Sequence, residues 1–228
     1  MKKIILIFTV ILTCSFYTIN KPEYYGEFRA IKMMNYYDTT LSSIMYQGIS
    51  FLYNVPTPDF SPVNGVDNGI VKFNNRPLYY EPSIRAYLDS ADRKSDKGIN
   101  WSLSGSNFLP NFTFSSSHGF PQFSGINFIP SIINKSDNLV VPFNNIQGVD
   151  EIEFTIDDLQ LHALCPWYRK VNGSTNTLII PKTHLCDLQG EIVTIRISFI
   201  RKEEKKINGK TFKFEHRLNI NKLVSLIN

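Results

Sequence analysis

Cysteine, histidine and tryptophan are scarce in this chain of 228 residues, which has three, four and two of them. No G-x-S-x-G stretch occurs, so the strained nucleophile turn of serine hydrolases is absent. A Gly-rich phosphate loop, an H-E-x-x-H pair and an EF-hand loop are missing as well, which removes the usual signals for nucleotide, zinc-protease and calcium chemistry. Charge of one sign is also lacking. Setting aside Lys2 and Lys3 leaves 22 basic against 20 acidic residues, which gives no electrostatic case for nucleic acid. Helical periodicity is rare, and the one strongly apolar run, residues 4–12, is too short to span a bilayer.

That run instead reads as the core of an export signal. Two lysines precede it, and Cys14 lies just behind it, where lipoprotein signals are cleaved and acylated. Residues 1–20 are therefore expected to be a signal peptide, with lipidation at Cys14 or ordinary cleavage further on as the two outcomes. Lipidation would make the membrane a partner through the anchor; either outcome places the protein in the periplasm or at the outer membrane or cell surface. Export leaves Cys165 and Cys186 as an even pair in an oxidising compartment, and a bridge between them would close a loop of about twenty residues, worth about 3 kcal/mol. Unpaired thiols remain the alternative. His162 and His184 neighbour these cysteines, but the spacing matches no standard zinc site, so no metal or other cofactor is expected.

What the chain has in quantity is two-residue alternation. "EIEFTI" puts Ile152, Phe154 and Ile156 on one face, and "IVTIRISF" aligns Val193, Ile195, Ile197 and Phe199. "TFKFEHRLNI" alternates Phe212, Phe214, His216, Leu218 and Ile220 with polar residues. The last two segments flank "RKEEKKINGK", whose Asn208-Gly209 predicts a long hairpin. "TIDDLQLHAL" and "KTHLCDL" each read as a short helical turn. The expected organisation is a β-rich segment at 21–97, with loops at 55–69 and 89–98, followed by a β-sandwich at 98–228.

"GINWSLSGSNFLPNFTFSSSHGFPQFSG", followed by "INKSDNLVVPFNNIQGVDEIEFTI", resembles secreted and lipid-anchored β-sandwich modules of Gram-negative bacteria. The upstream "GIVKFNNRPLYY" is similar to their strand–turn–strand segment. The resemblance covers residues 65–200 and carries no catalytic motif or assigned activity. It implies export and an all-β fold of Ig-like antiparallel sandwich type, with extra N-terminal strands and one or two short helical turns.

Function is then expected in binding, with no enzymatic activity. Aromatic rings stack on sugar C–H faces, and "CPWYRK" places Trp167 and Tyr168 beside two cations as ligand-binding candidates; a place in the core is the alternative for both. The tyrosine pairs 24–25, 36–37 and 79–80 are further aromatic candidates, whereas Trp101 reads as a sandwich core residue. Glu151 and Glu153 share a strand face, where alternating charge on a solvated surface accounts for them better than acid–base catalysis. The leading expectation is an envelope module that binds protein through loops or strand edges. A glycan-binding module is the alternative, and a hydrolase with an unrecognised site comes last.

Overall fold

Alternating apolar residues become strands almost wherever they occur. The structure, a computed structural model, describes residues 23–58, 64–89, 98–144, 146–158, 167–186 and 188–227. Strands dominate it and helix is nearly absent, so the fold is all-β. In chain order the strands are β1 (Glu23–Tyr37), β2 (Thr40–Pro58), β3 (Ile70–Phe73), β4 (Arg76–Pro77), β5 (Tyr79–Glu81) and β6 (Ala86–Leu88). They continue with β7 (Ile99–Ser104), β8 (Phe112–Ser116), β9 (Gln122–Phe123), β10 (Ile132–Asn134), β11 (Leu139–Pro142) and β12 (Ile146–Gln147). The last five are β13 (Glu151–Asp158), β14 (Trp167–Asn172), β15 (Thr177–Ile180), β16 (Ile192–Ile207) and β17 (Lys210–Ile227). One α-turn, α1 (Lys182–Leu185), falls in "KTHLCDL". In "TIDDLQLHAL", by contrast, residues 155–158 extend β13, because Ile156 continues its buried face; residues 159–164 lie outside the described set.

The long hairpin organises the molecule. Asn208 and Gly209 both take positive φ (48° and 81°), the conformation that matches hairpin twist, and β16 and β17 pair from Ile207↔Lys210 to Ile192↔Ser225. Around them lies one large sheet in the order β14-β13-β16-β17-β1-β2-β6-β5. β1 pairs with β17 in parallel, and β10 takes over along the same edge of β17, also in parallel. The sandwich expected from sequence was antiparallel. The parallel ladders arise because β1 meets β17 from the far end of the chain, where no hairpin dictates direction. Strands from both sides of residue 97 share this sheet, and β3 also pairs with β7 across that point. β2 runs on to Pro58, into the Pro-rich stretch expected to be loop, because Tyr24 and Glu23 offer it partners at Thr57 and Pro58.

Smaller layers cover one face of the large sheet in two places. β4-β3-β7-β8 packs over Phe28, Leu52, Phe212 and Phe214, with Trp101 (1% exposed) in this core. The pairs β11-β15 and β9-β12 pack over Ile152, Phe154, Ile197, Phe199, Leu218 and Ile220. The phenylalanines of "FTFSSSHGFPQFSG" are divided between them. Phe114 stacks on Phe214 at 3.8 Å in the first core, and Phe123 stacks on Phe199 at 4.7 Å in the second.

Between the cores runs a polar seam. His216 occupies an inward position of β17 between Phe214 and Leu218, fully buried, opposite Arg201 of β16. Its Nδ1 lies 3.5 Å from Glu203 Oε1, which also accepts a 2.8 Å hydrogen bond from Ser116 Oγ. Arg201 donates to the carbonyls of His118 (2.8 Å) and Gly148 (2.9 Å), tying both overlying layers to the hairpin. A Cβ on Gly148 would come within 1.2 Å of Arg201 Nη2, and Gly148 has φ of 64°, so only glycine admits the guanidinium here.

Two outcomes follow from the seam. Burial lowers the His216 imidazole to about 4 from 6.5, against the pull of Glu203, so the fold holds it neutral. The unfolded chain gains that proton first. Stability is thus full above pH 6.5 and falls by about 3 kcal/mol as pH drops towards 4. Urea titrations at pH 7 and pH 4.5 should show this loss in the native protein and a smaller one in His216→Leu. Gly148→Ala should lower stability by about 1–2 kcal/mol at neutral pH, read from the denaturation midpoint.

Candidate functional site

The other face of the large sheet carries the polar halves of the same alternating strands. Register places Glu27 beside Lys213, Arg29 beside Glu215 and Asn35 beside Asn221, which makes rows of side chains across β1 and β17. At one end these rows are charged and largely buried. Glu215 meets Arg217 at 2.7 Å, Lys213 at 3.0 Å and Arg29 at 3.1 Å, while Arg217 reaches Glu153 at 3.0 Å. The Tyr24 ring lies under the Lys213 ammonium and the Phe51 ring under Arg29. Burial alone would raise the Glu215 carboxyl, but Arg217, Arg29 and Lys213 together hold it at about 2. Glu151 takes Lys170 at 2.6 Å and Lys202 at 2.8 Å. Both glutamates of "EIEFTI" therefore hold cations in place, which is a structural duty.

β14 forms the outermost strand of this sheet, and among the described residues it pairs only with β13. β15 likewise pairs only with β11. An open groove of about 620 Å³ runs between the two edges, lined by Tyr168, Arg169 and Val171 from β14, Leu178 and Ile179 from β15, and His184 from α1. Both strand parities line it, as expected for a groove that runs along strand edges. Tyr168 is 55% exposed there, opposite Thr155. Burial and the Glu153 carboxylate raise its phenol above the ordinary value. Just beyond, Val140 and Ile179 form a directly opposed, exposed apolar pair on β11 and β15.

The sequence candidates distribute unevenly over this geometry. Tyr168 lines the groove. Trp167 stands in β14 opposite Ile156, and its side chain lies outside the described residues, as do Cys14 and Cys165. Cys186 follows α1, is exposed, and points its thiol at the Lys135 carbonyl, 3.6 Å away. Among the described residues no three His, Cys, Asp or Glu side chains converge as metal ligands, and no helix is long and apolar enough to cross a membrane. Sequence reading missed Arg169, Ile179 and His184 as neighbours of Tyr168. The similar stretches "NLVVP" and "TLIIP" pair as β11 and β15.

Removing the charge at the centre of the buried rows should be costly. Glu215→Gln leaves three cations packed around a neutral amide and should lose about 3 kcal/mol at pH 7 in chemical denaturation. Because the folded carboxyl is depressed, the native protein should lose this contribution as pH falls from 4.5 towards 2, whereas the variant should not. No protein-family model, curated protein or solved structure matches the chain.

Proposed function

We propose that this chain is an exported binding module of the cell envelope that captures an extended peptide along the edge of β14. The observation that carries this reading is the groove between two strand edges that, among the described residues, have no partner on the open side. Such an edge offers a row of backbone N–H and C=O groups to a further strand, and alternate side chains of that strand enter flanking pockets. Ile179 and Val171 suit an apolar side chain; Arg169 and His184 suit a carboxylate next to it. The occupant is thus an extended segment that alternates apolar and acidic residues.

Export rests on Lys2, Lys3 and the apolar residues 4–12, and a lipid anchor on Cys14. The two packed layers around Trp101 support the Ig-like part of the fold reading. Nucleic acid, a cofactor and catalysis have no part in this function. A second reading, a glycan stacked on Tyr168, is favoured by that ring's exposure in the groove.

Selection from a displayed library of random peptides separates the two. The expected result is enrichment of alternating apolar–acidic sequences whose affinity falls at least about tenfold in Tyr168→Ala and Ile179→Asp. Failure to enrich any pattern, or binding indifferent to both substitutions, sinks the peptide reading; Tyr168-dependent signals on a glycan array would put the second reading in its place. Mass spectrometry of the mature N-terminus should find a diacylglyceryl group on Cys14, and an unmodified terminus downstream of it removes the anchor.

A further inference from the structure

The open end of the large sheet, remote from its buried charges, carries a second and chemically different site. Four adjacent strands contribute to it in register. One row runs Thr194–Leu223–Tyr37 across β16, β17 and β1. The next runs Arg196–Asn221–Asn35–Ser43 and ends on β2. Over these rows lies a cavity of about 300 Å³ whose walls include Asn35, Tyr37, Ser42, Arg196, Asn221 and Leu223. That volume is at the small end of the range for small-molecule sites.

We infer that this cavity binds an uncharged pyranose unit of a glycan. The first reason is its hydrogen bonding. Asn221 Nδ2 donates to Asn35 Oδ1 and Asn35 Nδ2 donates to Ser43 Oγ, each at 2.8 Å, so the amides are held in a chain. At the end of that chain Asn221 Oδ1 is buried with no hydrogen-bond partner among the described residues. An unpaired buried acceptor costs about 1–3 kcal/mol, which a ligand hydroxyl recovers once Asn221 turns its carbonyl into the cavity it lines. The second reason is charge. Arg196 is the one ion among the described residues of the lining, and Asp157 already neutralises it at 2.9 Å. The site therefore holds donors and acceptors without the net field that an anionic ligand requires.

The third reason is the apolar side of the cavity. Tyr37 is 70% exposed at the end of β1 and is the register neighbour of Leu223, also exposed. A ring held at a rigid sheet end beside a row of fixed amides has the form that sugar recognition needs: C–H groups against the ring, hydroxyls against the amides. The opposite end of the same face offers a contrast, because its carboxylates and cations satisfy each other. Here the partners are left for something else. Tyr168 lies on the same face, four strands and about 19 Å from Asn35 at the usual strand spacing, with Thr155 of β13 between it and the Arg196 wall of the cavity.

The test is calorimetric titration of the full exported chain with cellohexaose, maltohexaose and mannohexaose, with hexagalacturonate as the charged comparison. Amide shifts in NMR spectra locate the site. Saturable binding of at least one neutral oligosaccharide is expected, with shifts centred on Asn35, Tyr37 and Asn221. Tyr37→Ala should weaken it about tenfold with no change in thermal unfolding, since the ring is mostly in solvent. Asn221→Ala should weaken it similarly, whereas Ile179→Asp should not. Binding of hexagalacturonate alone, affinity unaffected by Tyr37→Ala, or no binding by any neutral sugar overturns the inference. None of these results bears on peptide capture at β14, which is read with different probes and variants.

Discussion

Everything in this molecule is hung on the β16–β17 ladder. Sixteen register pairs run without interruption from the Asn208-Gly209 turn to Ser225. The inward side chains of this ribbon form the floor of both cores, and its outward side chains supply most of the charged and amide rows. A two-residue period enforces that division of labour: a slip of one residue would turn Phe212, Phe214 and Leu218 to the charged outward face and carry Lys213, Glu215 and Arg217 into the cores. The seam at His216, Glu203 and Arg201 marks the point at which one floor ends and the next begins. Arg201 donates to carbonyls of both overlying loops and Glu203 accepts from the Ser116 hydroxyl, so the seam positions both covering layers on a shared base.

The outward face shows how one strand pattern serves two ends. Near the hairpin tip, carboxylates and cations are dense enough to neutralise one another, and the aromatic rings of Tyr24 and Phe51 exclude water from them. Towards the other end the sequence changes from charged residues to Asn219, Asn221 and Leu223, and the face opens. Burial of paired charge contributes rigidity and register more than net stability. An open neutral face is free to make contacts elsewhere. The edge of β14 adds a third type of surface, where backbone groups matter as much as side chains.

Much of the strand content was legible in the sequence because alternation and turn chemistry are local. The hairpin, β13, the core position of Trp101 and the α-turn in "KTHLCDL" could all be read from short windows. The helical reading of "TIDDLQLHAL" failed over residues 155–158 because Thr155 and Asp157 suit a helix start as well as the outward side of a strand, and partner strands β14 and β16 decided between them. The candidate sites were less legible. Tyr168 stood out by residue type, yet Asn35 and Asn221, 186 residues apart in the chain, gave no local sign that they touch.

Sequence alone determined the all-β character, the inward and outward faces of each strand, the tight turn at Asn208-Gly209 and the near-balance of charge. These are consequences of side-chain periodicity and backbone preference within a few residues. Tertiary structure decided which strands became neighbours. It placed β1 in parallel against β17, left β14 and β15 facing each other across a groove, and gathered Asn221, Asn35 and Ser43 from three strands into one row. Hydrogen-bonded pairing between distant segments is selected by the cooperative burial of both cores, and that choice is not encoded in any single stretch of the chain.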